Sequence, residues 1–130
     1  MAYYVDTSAL VKLVVGEPET EALRAWLAAE NREPVSSDLA RAELLRAVRR
    51  AAPDRLVDAR AVLDAVTLVE VTTAIFEDAG RIDPTILRSL DALHVSAALD
   101  LGDDLEGIVT YDERLADAAA ANGISVVSPS

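Results

Sequence analysis

The chain contains no cysteine, so disulfides, thiolate metal sites and a cysteine nucleophile are all excluded, and a reducing compartment is compatible with it. No stretch approaches the roughly 18 consecutive apolar residues of a membrane span. The opening MAYYVDTSAL reaches Asp6 too early for a secretory leader. There is no internal repeat, no low-complexity tract and no linker rich in proline, glycine or serine, so nothing divides residues 1–130 into more than one domain. At 52% hydrophobic, a chain of 130 residues has enough apolar side chains to bury a core without staples. These absences predict a soluble cytoplasmic protein with no membrane partner.

Basic residues are also scarce. Twelve Lys and Arg stand against 23 Asp and Glu, giving a net charge of -11. The imbalance is uneven: residues 1–60 carry ten acids and nine bases, residues 61–130 thirteen acids and three bases. Such a surface repels nucleic acid unless charge is redistributed locally. Arg46, Arg49 and Arg50 recur at i, i+3, i+4 spacing on one helical face, either as a solvated arginine face or as phosphate contacts.

Short apolar runs alternate with longer amphipathic ones, the pattern of a parallel sheet covered by helices. Strands are predicted at Ala2–Val5, Val35–Ser36, Leu68–Val71, Gly107–Thr110 and Ser125–Val127. Helices are predicted at Ser8–Val15, Glu19–Glu30, Leu39–Ala51, Arg55–Ala65, Thr73–Arg81, Pro84–Leu101 and Glu113–Asn122. Asp83 before Pro84 reads as an N-cap with proline in the first turn, and Gly102 and Gly123 suit positions just past helix ends. The acidic run GDDLEG, residues 102–107, lacks the ligand alternation of a calcium loop and reads as a solvated turn.

Four acids then stand out. Asp6 and Asp112 follow the predicted first and fourth strands, and ligands of open α/β sheets bind beyond the carboxyl ends of the strands. Glu43 and Asp91 lie in otherwise apolar helix stripes, one to two turns in, roughly 8 to 11 Å along the axis at about 1.5 Å per residue. For Asp91 the inward neighbours expected are Leu87, Leu90, His94, Val95 and Ala98.

Four carboxylates in one crevice do not all stay ionised unless divalent cations share the site, and oxygen-only ligation suits Mg²⁺ or Mn²⁺. Each acid also has a local alternative. Asp6 and Asp112 would cap the helices that follow them, Glu43 would pair with Arg46, and Asp91 with Arg88 or His94. His94, the only histidine, suits a core or supporting role better than ligation. Thr7, Ser8 and Thr110 flank the acids as hydroxyls that hydrogen-bond a carboxylate or serve as caps. Trp26 and Phe76 are read as core aromatics.

Taken together, YYVDTSALVKL, SSDLARAELLRAV, LRSLDALHVSAALDLG and IVTYDERLADAAAANGI resemble the PIN-domain family, and within it the VapC-like toxin ribonucleases of toxin–antitoxin pairs. The resemblance runs from about Tyr4 to Val127. It implies a three-layer α/β/α fold with a central, mostly parallel sheet. It also implies a divalent-metal-dependent endoribonuclease, a homodimer, and a cognate antitoxin covering the active site, for which the acidic crevice suggests a basic tail.

Carried over, the catalytic and metal-binding set is Asp6, Glu43, Asp91 and Asp112, with Ser8 and Thr110 in support and in-line phosphodiester hydrolysis as the chemistry. A catalytically weak PIN domain that binds RNA or protein is the alternative. A receiver domain would need a lysine after the fifth strand, but the only lysine is Lys12. A haloacid-dehalogenase-like phosphatase would need an Asp where Ser8 stands.

Overall fold

Adjacent residues of the central strand face two different apolar environments, and this alternation makes the sheet a middle layer. In the computed structural model, which describes residues 1–130, strand β1 (Ala2–Val5) sends Tyr4 into a cluster with Ile75, Leu93, Val95, Ile108 and Leu115. Val5 points the other way, into Leu10, Leu23, Leu44, Val48 and Val109.

The second cluster is supplied by α1 (Thr7–Val14), α2 (Thr20–Ala28), α3 (Leu39–Ala51) and α4 (Leu56–Ala65). The first is supplied by α5 (Thr73–Ala79), α6 (Ser89–Leu99) and α7 (Glu113–Ala121). With β2 (Glu33–Ser37), β3 (Thr67–Val69), β4 (Leu105–Val109) and β5 (Val126–Val127), the sheet runs β3-β2-β1-β4-β5, every pair parallel. The three-layer α/β/α architecture expected from the sequence is present. No helix is long and apolar enough to cross a membrane.

The strand order fixes where a ligand can enter. After β1 the chain moves outward to β2 and β3, then returns to the other side of β1 to lay down β4. The crossovers therefore diverge at the carboxyl ends of β1 and β4, the kind of crevice that binds ligands in open α/β sheets.

Most element boundaries fall within one to three residues of the sequence reading, but the sixth helix does not. It begins at Ser89, not Pro84, with Arg88 at the N-cap position, so Asp83 caps no helix there. Residues 84–88 form a turn instead, with the Leu87 amide donating to the Pro84 carbonyl. Thr85 and Ile86 are exposed, Ile86 at 90%, so a helix over this stretch would have had no apolar face to bury.

Two consequences follow for Asp91. It sits in the first turn of α6, where a carboxylate meets the positive end of the helix dipole, and not one to two turns in. The helix plunges into the core only after it, with Ala92 to Ala98 buried without a break, while Leu90 is exposed and not one of its inward neighbours. GDDLEG is half turn and half strand, since β4 begins at Leu105. Gly123 follows α7 at φ +80, a conformation that spares it the Cβ clash other residues meet.

Gly107 has a packing reason. A Cβ there would stand 2.9 Å from the Ser125 carbonyl oxygen and 3.3 Å from Tyr3 Cε1, because β5 and the Tyr3 ring close over the β4 backbone. Gly107→Ala must push strand backbone aside, and equilibrium urea unfolding is expected to show a loss of about 1 to 3 kcal/mol. A variant as stable as the parent would mean the β4–β5 edge yields freely.

Candidate active site

Asp6 is the first residue beyond β1 and the N-cap of α1, so one side chain serves both elements. Its Oδ1 accepts from the Ala9 amide at 3.1 Å and the Ser8 hydroxyl at 2.6 Å. Its Oδ2 accepts from the Thr110 hydroxyl at 2.6 Å, which ties the end of β1 to the end of β4. Ser8 and Thr110 continue outward. Ser8 Oγ accepts from the Tyr111 amide at 2.9 Å, and Thr110 Oγ1 from the Asp112 amide at 3.1 Å. Asp6 is 3% exposed, and burial raises its pKa against the pull of these donors.

Asp112 caps α7, its Oδ1 accepting from the amides of Arg114 at 2.9 Å and Leu115 at 3.4 Å. The capping alternatives thus hold for Asp6 and Asp112, together with their place at the crevice. For the other two acids the local alternatives fail. Glu43 does not pair with Arg46. Its Oε1 accepts from Thr7 Oγ1 at 3.0 Å and from His94 Nε2 at 2.6 Å. Burial pushes Glu43 upward, but the His94 hydrogen bond and charge, with the Thr7 hydroxyl, bring it net below the usual carboxylate range.

Asp91 forms no ion pair with Arg88 or His94 and no hydrogen bond to the protein. Partial burial raises its pKa first, and the negative charge of Asp112 raises it further. Asp91 also feels His94, Arg88 and Glu43, and His94 acts in turn on Asp6, so α3, α6 and the two strand ends share one field.

The group is all oxygen and strongly negative, and one carboxylate has no protein partner, which is the chemistry a hard divalent cation satisfies. The residues fit Mg²⁺ or Mn²⁺. As the side chains stand, no three of the acids and histidine form a coordination shell.

Two grooves leave the cluster. One, of about 820 Å³, is lined by Thr7, Glu43, Arg46, Arg50, Phe76 and Leu90 among others. The second, of about 760 Å³, passes Arg88, Asp91 and Arg114. Of the arginine trio expected on one face of α3, Arg46 and Arg50 line the first groove and Arg49 does not.

Phe76, expected in the core, is 53% exposed in that groove, because Ile75 takes the inward position on the short helix α5. Trp26 is partly buried, edge-on to Tyr3 at 4.7 Å with the Arg32 guanidinium 4.0 Å from its ring centre. The sequence offers Arg88 only as an ion-pair alternative for Asp91 and gives Arg114 no signal, since isolated arginines in an acidic half form no cluster. Tyr4 and Ser37 were missed as well. The only signal was a polar tip on an inward strand position, which must find a partner when buried.

The PIN-domain family model matches residues 3–121. Ribonuclease VapC46 of Mycobacterium tuberculosis is 44% identical over 130 residues, spanning 99% of this chain and 98% of that protein. This chain belongs to the PIN-domain family, among its VapC ribonucleases. Ribonuclease VapC47 of the same species, at 41% identity over 97% of this chain and 96% of that protein, places it in the same group.

Among solved PIN structures, M. tuberculosis VapC20, described as a sarcin-ricin loop cleaving toxin, superposes with a TM-score of 0.78 at 20% identity. The superposition covers 99% of this chain and 100% of that one. A toxin–antitoxin complex from Klebsiella pneumoniae gives 0.75 at 19% identity over 98% of both chains. At these identities they establish the PIN fold.

The raised Asp91 has a consequence for the metal-free protein. A carboxyl whose folded pKa lies above its unfolded value favours the folded state fully below the ordinary Asp range, and that contribution is lost as pH rises through the folded value. In a chelating buffer, Asp91→Asn is therefore expected to raise Tm at about pH 7 by roughly 1 to 3 °C, solvent screening keeping the gain small. The gain should vanish at about pH 3, where the carboxyl is protonated in both states. Paired thermal melts check both signs, and a lower Tm at neutral pH would mean that the Asp91 charge supports the fold.

Proposed function

We propose that this PIN domain is a divalent-metal-dependent endoribonuclease, the toxin of a toxin–antitoxin pair, cleaving RNA phosphodiesters at the Asp6, Glu43, Asp91 and Asp112 cluster. The observation that carries the reading is the convergence of these acids, from two strand ends and two helices, around the partnerless Asp91 carboxylate. Full-length relatives named as ribonucleases supply the substrate class.

The four acids are the residues that would hold Mg²⁺ or Mn²⁺. When bound, the ion neutralises phosphate charge and acidifies water at the site. The protein's own part is positional. Ser8, Thr110 and the Ala9 amide fix Asp6, Thr7 and His94 fix Glu43, and the helix cap fixes Asp112.

How an acidic chain accepts RNA is explained by which arginines are free. Arg24, Arg41, Arg55 and Arg81 are each held by an acid three residues away, and Arg32 reaches Glu30. Arg46 and Arg50 in one groove, and Arg88 and Arg114 in the other, have no ion-pair partner. They flank the acids on both sides and suit flanking phosphates, in bidentate contacts. The exposed Phe76 and Leu90 leave apolar surface in the first groove for a base or for a partner.

The antitoxin partner accords with solved neighbours that are toxin–antitoxin assemblies. In this reading its tail brings a basic side chain to the carboxylates, the toxin pairs as a homodimer, and it acts on RNA in the cytoplasm.

Purified protein freed of partner is expected to cleave RNA with Mg²⁺ or Mn²⁺ and not with chelator. Asp6→Asn and Asp91→Asn should each lower the rate by roughly a hundredfold or more. Metal-independent cleavage, or an Asp91→Asn protein at the parental rate, would sink the assignment.

Binding of a non-cleavable RNA gives a second test. Each of Arg50→Ala and Arg88→Ala should reduce the slope of log affinity against log salt by about 0.7, the share of one phosphate on single-stranded RNA. Unchanged slopes would place the RNA elsewhere.

A further inference from the structure

His94 joins the site to the middle of the protein through hydrogen bonds at both ring nitrogens. It lies 3% exposed on α6, one turn after Asp91, among Leu93, Val95 and Ala97. Its Nδ1 is 2.7 Å from the Tyr4 hydroxyl, which sits 0% exposed on β1 and in turn donates to Ser37 Oγ on β2 at 3.0 Å. Its Nε2 is 2.6 Å from Glu43 Oε1 on α3. The ring thus spans from two core strands to a helix on the other side of the site.

Hydrogen accounting settles half of the arrangement. The Glu43 carboxylate offers only lone pairs at Oε1, where it already accepts from Thr7, so across the 2.6 Å contact Nε2 carries the proton and donates. At the other nitrogen, Tyr4 has a single proton. It goes either to Ser37 Oγ or to His94 Nδ1. In both arrangements the Nε2–H points at Glu43.

Both protein donors to Glu43, His94 Nε2 and Thr7 Oγ1, converge on Oε1, and Oε2 accepts no hydrogen bond from the protein. Two donors on one oxygen fix the rotation of the carboxylate and leave the other oxygen open to the crevice. Without the ring, Glu43 would rest on the Thr7 hydroxyl alone, and its outer end, on a partly exposed stretch of α3, would be free to turn.

We propose that His94 is a positioning residue of this nuclease. Anchored by Tyr4, it clamps Glu43 Oε1 and thereby presents Oε2 to the divalent ion. The inference rests on the metal-dependent reading above. It differs from a core role in that the effect of His94 on the ion must travel through Glu43.

The experiment measures Mn²⁺ affinity by calorimetry or by the paramagnetic signal of free Mn²⁺, with RNA cleavage as a second readout, on proteins whose folding is verified by circular dichroism. His94→Leu, which fills space but donates nothing, should weaken Mn²⁺ binding by about tenfold or more, the range found when a ligand's outer partner is removed. His94→Gln, whose amide offers an N–H at a similar reach, should restore affinity to within about threefold of wild type.

In a Glu43→Gln background, His94→Leu should cost nothing further, since the residue acts through the missing carboxylate. Equal losses with and without Glu43, or a folded His94→Leu protein with wild-type affinity, overturn the proposal. Should His94→Leu fail to fold, Tyr4→Phe takes its place in the same cycle. It frees Nδ1 and should weaken Mn²⁺ several-fold only when Glu43 is present. Unchanged affinity in that variant also overturns the proposal.

Wild-type protein with no Mn²⁺ affinity would defeat the metal reading and this inference together. Wild-type binding that ignores the His94 and Tyr4 substitutions would defeat this inference alone.

Discussion

A single buried carboxylate holds the site together. Asp6 starts α1, closes the end of β1 and, through Thr110, fastens the end of β4. Three donors reach it from two places in the chain, the Ser8 hydroxyl and Ala9 amide on α1 and the Thr110 hydroxyl beyond β4, and the His94 ring acts on it from α6 through charge. Even so, its pKa stays raised, so these partners offset only part of the cost of desolvating the charge. No lysine or arginine forms an ion pair with Asp6. The structure therefore carries a standing electrostatic deficit at the one point where its strands diverge, and Asp91, raised by partial burial and then by the nearby Asp112, adds to it.

The rest of the charge is distributed in keeping with that deficit. Positive side chains that serve the fold are neutralised where they stand. Lys12, the only lysine, is nearly buried between Glu17 at 2.7 Å and Glu19 at 3.0 Å, with the Tyr111 ring 4.7 Å away. Four arginines are tied to acids on their own helical turn. Of the six arginines with no ion-pair partner, Arg46, Arg50, Arg88 and Arg114 line the grooves that meet the acids, while Arg49 and Arg60 lie outside them. Net charge alone describes this surface poorly, because pairing decides which cations remain available.

The sheet and most helices were legible because they depend on periodicity, which the chain states locally. Leu39–Ala51 is a case where pattern and helix coincide end to end. The acids were legible as a group for a different reason: carboxylates interrupting apolar stripes on α3 and α6, or closing strands, are locally expensive and so conspicuous.

The errors arose where a long-range contact outweighed local preference. Pro84 after Asp83 looks like a helix start, but Thr85 and Ile86 have nothing to pack against, so α6 waits until Ser89. Phe76 looks like core, but Ile75 reaches the core first. Glu43 finds a histidine 51 residues away in preference to an arginine one turn along. Such a choice needs tertiary structure to be seen.

The β1–β4 register sets Tyr4 opposite Ile108 and Val5 opposite Val109. Successive side chains on a strand point to opposite faces, so a slip by one residue would exchange Tyr4 with Val5 across the sheet. The phenol would then leave His94, Glu43 would lose the anchored side of its clamp, and Asp6 would no longer meet Thr110. Chains that have collapsed with the wrong strand pairing would thus be inert as well as unstable. Competence of the site is thereby tied to correctness of folding, and only molecules in the native register carry the assembled carboxylates.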